Sequence, residues 1–235
     1  MIEPDSPLRL LPAALDRKQA LYLDGMRHAV EIAHLAFHRL CACLANMTSR
    51  GEPGNDITSV FADAWTFVDA VDRFRSLYKL FPGFSNACGP PTESAHSFSG
   101  QLIAIRELRN VADHIATRID HVLAKRMPVL GALSWFVLDP DMSGGRICIL
   151  APGSIVGKQT VSAVNPAGRK MTVYGGVALV RLSAGEHEVC LAETYENLAI
   201  EVRGIEAAIG DQATGMEHAA SDALTIITIA FQGPA

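Results

Sequence analysis

"KRMPVLGALSWFVLD", residues 125–139, is where the chain changes character, and its reading decides the fold class. Upstream of Pro128, apolar residues recur at intervals of three and four, the period of a helix buried on one side. Downstream come short β-branched runs: "VLGALSWFVLD", "RICILAP", "QTVSAV", "KMTVYG", "VALVRLS" and "HEVCLAE". They are cut by "DPDMSGG", "NPAG" and "SAGE", spacers of hairpin size. The pattern predicts an α+β protein. Residues 1–128 form a bundle with three long helices, and residues 129–235 form an antiparallel β-rich domain that packs against it.

The first helix is expected over 14–47, with Ile32, Leu35, Ala36, Leu40 and Cys43 facing the core and Asp24, Arg27, Glu31 and His38 turned away. The second spans about 56–80, opened by Asp56 as N-cap and stopped by "FPG", with Val60, Ala64, Phe67, Val68, Val71, Phe74 and Leu77 inward. The third runs over 97–127, with Leu108, Val111, Ala112, Ile115, Ile119 and Val122 as its stripe. "ENLAIEVRGIEAAIG" leaves strand and helix both open, and "ALTIITIAF" reads as a closing strand.

Charge is uneven. Residues 1–128 carry 14 Lys/Arg against 14 Asp/Glu, and residues 129–235 carry 6 against 11. The overall charge of -5 gives no general reason to bind nucleic acid. An anionic ligand would favour the first part, and a protein partner could use the acidic second part. No run approaches the roughly 18 apolar residues of a membrane span, and the opening acids and prolines do not read as a secretory signal. Five cysteines without a Cys-x-x-Cys pair read as thiols of the cytoplasm.

Several chemical motifs fail on spacing. "APGSIVGKQT" has three residues between Gly153 and Gly157 and places Gln159 where a phosphate loop needs Ser or Thr. Glu31, His34, His38 and Cys41 share a helix side but span too many turns, at about 5.4 Å each, to meet at one ion. No Gly-x-Ser-x-Gly elbow occurs, and nothing beside Cys88 would activate it. No metal and no cofactor are expected. Trp135 and Phe136, with Trp65 or Phe67, would line a pocket between the two parts, although core burial is the plainer reading for both tryptophans.

The remaining candidate is "RNVADH", residues 109–114. On a straight helix Arg109 and His114 lie about 140° apart, so they do not share a face. A second copy across a two-fold axis would bring each Arg towards the other chain's His. The plainer reading pairs Arg109 with Asp113 on an exposed flank.

This motif, an Arg-Asn-x-x-x-His on a late helix of a bundle, resembles the signature of the HEPN superfamily. The resemblance covers residues 14–128 at most and says nothing of the β-rich part. The family's bundle usually has at least four helices, where three long ones are counted here. The resemblance implies a homodimeric, metal-independent ribonuclease of toxin–antitoxin or defence type, with Arg109, Asn110 and His114 as catalytic residues and RNA as substrate. His would move the protons, and Arg would clamp the phosphate. The alternative is a non-catalytic helical dimerisation module whose β domain binds a protein or a small ligand. Catalysis needs a basic concave surface around Arg109 with Arg106 and Arg118 nearby. A flat, acidic or covered surface favours binding.

Overall fold

The computed structural model describes residues 1–13, 15–52, 54, 56–81, 93–114, 117, 119–120, 128–139, 144–153, 163–168, 171–213 and 222. Helix α1 spans Arg17–Arg50, α2 Ile57–Leu80 and α3 Glu93–Asp113. Strands β1 (Ala132–Leu138), β2 (Gly145–Leu150), β3 (Ala178–Ala184) and β4 (His187–Cys190) follow, and α4 (Leu191–Ala213) begins directly after β4. The α+β class and the change at Pro128 are as the sequence indicates.

Both ends of α1 have a local cause. The Asp16 carboxylate accepts from the backbone N–H of Lys18 at 2.7 Å and of Gln19 at 3.3 Å, which caps α1. The far end closes on Gly51 in the left-handed region, whose N–H donates to the Met47 carbonyl. Asp56, expected to cap α2, makes no capping bond; its carboxylate pairs with Arg50 instead. The third helix, expected to reach Met127, closes at Asp113 and is followed by a tight turn in which the Thr117 N–H and hydroxyl both donate to the His114 carbonyl. Residues 119–120 are helical again with Ile119 exposed, while Ile115, Val122 and the rest of the expected stretch to Met127 lie outside the described residues.

The inward face of α2 is as expected. That of α1 is not: its buried residues include Leu23, Met26, Val30, Ala33, Phe37, Leu40, Leu44 and Met47, while Ile32 and Leu35 lie on the surface. Apolar residues occupy nearly the whole circumference of α1, so periodicity alone cannot choose a face. Arg27, expected outside, is buried. Its guanidinium is held by Asp24, Glu31 and Asp222, with one nitrogen 2.7 Å from the Asp222 carboxylate. That partner, 195 residues away, offsets the cost of burying the charge.

The four strands form one antiparallel sheet in the order β2-β1-β3-β4. Sequence neighbours pair as expected, β1 with β2 and β3 with β4, and β1 pairs with β3 across the centre. Gly131 turns the chain into β1: its N–H donates to the Pro128 carbonyl, its φ is 80°, and a Cβ there would strike the Ser183 carbonyl oxygen. A register shift between Ser134 and Phe136 lies opposite Leu179, which has φ 51°. The described part of "KMTVYG", residues 171–175, forms no strand beyond an isolated bridge from Tyr174 to Val177. Most of "QTVSAV" and all of "ALTIITIAF" lie outside the described residues, while "ENLAIEVRGIEAAIG" belongs to α4.

The main core is continuous from helices to sheet. Phe37, Phe67, Phe74, Ile105 and Leu108 share it with Leu133, Val180, Leu182, Leu198 and Val202. Alternation along β1 sends Trp135 into this core and Phe136 to a smaller one with Val164, Ala178 and Leu179. Both indoles tie helix to sheet. Trp65 Nε1 donates to the Leu130 carbonyl at 3.1 Å, and Trp135 Nε1 donates to Thr48 Oγ1 at 3.0 Å.

Candidate functional sites

Arg109 sits one helix away from two carboxylates. Its Nη1 donates to Asp72 on α2 at 2.9 Å, and its Nε lies 3.2 Å from Asp69 and 3.8 Å from Asp113. Asp72 is buried and accepts a second bond, at 2.7 Å, from Arg75 Nε. The hydrogen bond to Asp72 raises the guanidinium pKa; burial opposes this, and Asp113, Asp72 and Asp69 reinforce it. Two guanidinium groups thus meet three carboxylates, leaving the cluster one negative charge in excess.

Asn110 is half-buried at the next position, and His114 is exposed just past the end of α3. The His114 ring forms no ion pair among the described residues. Arg106 is exposed on α3, and Arg118 lies outside the described residues. The charged side chains paired with Arg109 among the described residues are thus all carboxylates. Asp69 and Asp72 escaped the sequence reading because they lie on another helix, 40 and 37 residues upstream, within an ordinary charged stretch.

Of the four side chains sharing a side of α1, only two meet. His34 Nδ1 lies 2.6 Å from the Tyr195 hydroxyl, and His38 Nε2 lies 3.0 Å from the same oxygen. Glu31 is drawn to Arg9 and Arg27, and Cys41 is buried, which pushes its thiol up to about 12. Burial, the chain's amino terminus and His38 all move His34 towards the neutral imidazole. Among the described residues, no group of three His, Cys, Asp or Glu side chains is placed to hold a metal. Cys41, Cys43, Cys148 and Cys190 are free thiols. Cys88 lies outside the described residues.

Asp63 on α2 is buried with Arg39 Nε at 3.3 Å. Burial raises its carboxyl pKa, and Arg39 only partly counters this. A folded-state pKa above the unfolded one favours folding when the group is protonated, and that advantage is lost as pH rises through the folded value. Asp63→Asn is therefore expected to stabilise the protein near neutral pH, by on the order of 1 kcal/mol. The gain should vanish by about pH 3, below the ordinary carboxylate range. Urea unfolding at the two pH values checks this, and an equal effect at both would contradict it.

An open cleft of about 260 Å3 separates the C-terminal end of α1 from the helix-facing side of β1 and β2. Trp135, Met47, Ile149 and Leu150 contribute apolar lining, and Thr48, Cys148, Arg146 and Glu52 also border it. Thr48 Oγ1 donates to the Leu44 carbonyl and receives the Trp135 bond, which fixes the indole. Arg146 has no ion-pair partner among the described residues. Of the residues expected to line a pocket, only Trp135 borders this cleft, and it is itself buried in the main core as the plainer reading has it; Phe136 packs into the smaller core, and the helical wall comes from α1. Trp65 and Phe67 do not line it.

Comparison with protein-family models, with curated proteins and with solved structures returned no match. No helix among the described residues is long and apolar enough to cross a membrane.

Proposed function

We propose that this chain acts by binding rather than by cutting, and that its ligand is a small apolar molecule carrying a carboxylate. The observation that carries this reading is the cleft beside Trp135, bordered by Arg146, which forms no ion pair among the described residues. Pockets for drug-sized ligands run from about 300 to 1,000 Å3, so a smaller molecule fits this one. The indole face and Met47 would cover its apolar body, and the guanidinium would take its carboxylate as a charge-assisted pair. Glu52 would disfavour ligands with more than one negative charge.

Trp65→Phe leaves Trp135 as the single tryptophan and makes its emission report the cleft. Benzoate is expected to change that emission saturably. Arg146→Ala should weaken benzoate at least about tenfold, as loss of a charge-assisted bond predicts. Benzamide should be indifferent to the same change. No saturable response to benzoate, or equal responses with and without Arg146, would remove this reading.

A second reading is a homodimeric HEPN-like ribonuclease using Arg109, Asn110 and His114. The exposed imidazole of His114, outside any ion pair among the described residues, favours it. The acidic shell around Arg109 weighs against it, because a phosphate would have to compete with Asp72 and Asp69 for the guanidinium.

A further inference from the structure

The convergence of His34 and His38 on the Tyr195 oxygen lies apart from both sites above. We propose that these two imidazoles form a chelate for a divalent transition cation of the zinc or copper type, with the Tyr195 oxygen at the third position.

Three features support it. The two histidines stand at i and i+4 on a long, capped helix, a spacing that puts both rings over one point of its surface. Their rings are 4.4 Å apart, and each presents a nitrogen to the same phenol. Tyr195 is itself fixed: its ring stacks on Phe37 at 4.4 Å and meets Tyr174 edge-on.

The three polar groups form one hydrogen-bonded unit whose donor atoms an ion would take over. One phenolic proton serves two ring nitrogens, so the other nitrogen must carry the second hydrogen of the pair. Neither histidine forms an ion pair with a carboxylate among the described residues. Neutral imidazole is the form that ligates metal.

Distances decide how much must move. Donors bound at 2.0–2.1 Å around a tetrahedral ion stand about 3.3 Å apart. The His38–Tyr195 separation of 3.0 Å is close to that, and the His34 nitrogen must draw back by roughly 0.7 Å. His38 is exposed, so an ion can enter from solvent, and water would fill the remaining position. Two nitrogens and one phenol suit zinc, copper or nickel, not the hard cations magnesium and calcium.

Titration calorimetry of the full chain with Zn2+ tests this directly. One equivalent should bind, and His38→Gln and His34→Gln should each weaken it at least about tenfold, as expected when a chelating ligand is lost. His28→Gln is the control on the same helix and should bind like the parent. Co2+ should give a visible absorption band that His38→Gln abolishes. His38 is exposed, so its replacement should leave thermal unfolding unchanged, and this variant settles the matter if His34→Gln fails to fold. Zinc binding unchanged in His38→Gln, or removed by His28→Gln, would overturn the proposal.

Discussion

Phe37→Ala is expected to lower the free energy of unfolding by about 3–5 kcal/mol, the cost of emptying a fully buried aromatic site. Phe37 is 0% exposed and lies where the layers meet. Its ring is 4.4 Å from Tyr195 of α4, 5.0 Å from Tyr174 ahead of β3 and 5.6 Å from Phe67 of α2. Removing it leaves a void bounded by three elements that are themselves held by other contacts, so collapse can recover little of the loss. Urea unfolding followed by far-ultraviolet circular dichroism measures the effect. A cost below about 1 kcal/mol, less than an ordinary core truncation, would show that helices and sheet do not share the core described above.

Asp72→Ala should be the most damaging polar change, at roughly 2–3 kcal/mol. Breaking a buried ion pair from one side costs about 3–5 kcal/mol, and the partial exposure of Arg109 and Arg75 reduces that figure. Both guanidinium groups lose their shared acceptor, although Arg109 keeps Asp69 and Asp113. Because the two residues act through one bond, Arg109→Ala introduced on top of Asp72→Ala should add much less than it does alone. Strict additivity of the two changes would deny the strut between α2 and α3.

How far the sequence could be read depended on whether the deciding partner lay nearby. The α2 face was legible because Val60, Ala64, Phe67, Val68 and Val71 alternate with polar residues at helical spacing, and all five are buried. On α1 the apolar residues surround the axis, so Ile32 and Leu35 looked as eligible as Met26 and Phe37. Arg27 is buried because Asp222 meets it, and Tyr195 joins His34 and His38 from 161 and 157 residues away. No local pattern encodes such meetings. The strands β1 to β4 were legible from composition, because their β-branched runs are separated by turn formers. The start of α4 carries no turn former between Cys190 and Leu191, which is why residues 196–210 left both structures open.

The candidate site shows the same division. The sequence placed Arg109 and Asp113 on one flank, and the structure keeps that pair at 3.8 Å. It could not show that Asp69 and Asp72 face Arg109 from α2 and hold its guanidinium. Trp135 stood out as a possible pocket residue. Thr48, Arg146 and Cys148 did not, because they come together only when β2 packs over the end of α1.

Arg109 ties α3 to α2 through Asp72 and Asp69, and the proposed function gives it that structural role alone. It is tested most directly by measuring RNA cleavage in metal-free buffer and urea stability on the same preparations of the parent and Arg109→Ala, with solution mass from light scattering. The account predicts no cleavage above background by the parent, and a loss of stability of about 1–2 kcal/mol in the variant, the worth of a charged hydrogen bond to a buried acceptor. A dimeric parent that cuts RNA, with a variant that is equally stable and dimeric but inactive, would contradict it and establish residues 109–114 as an active site.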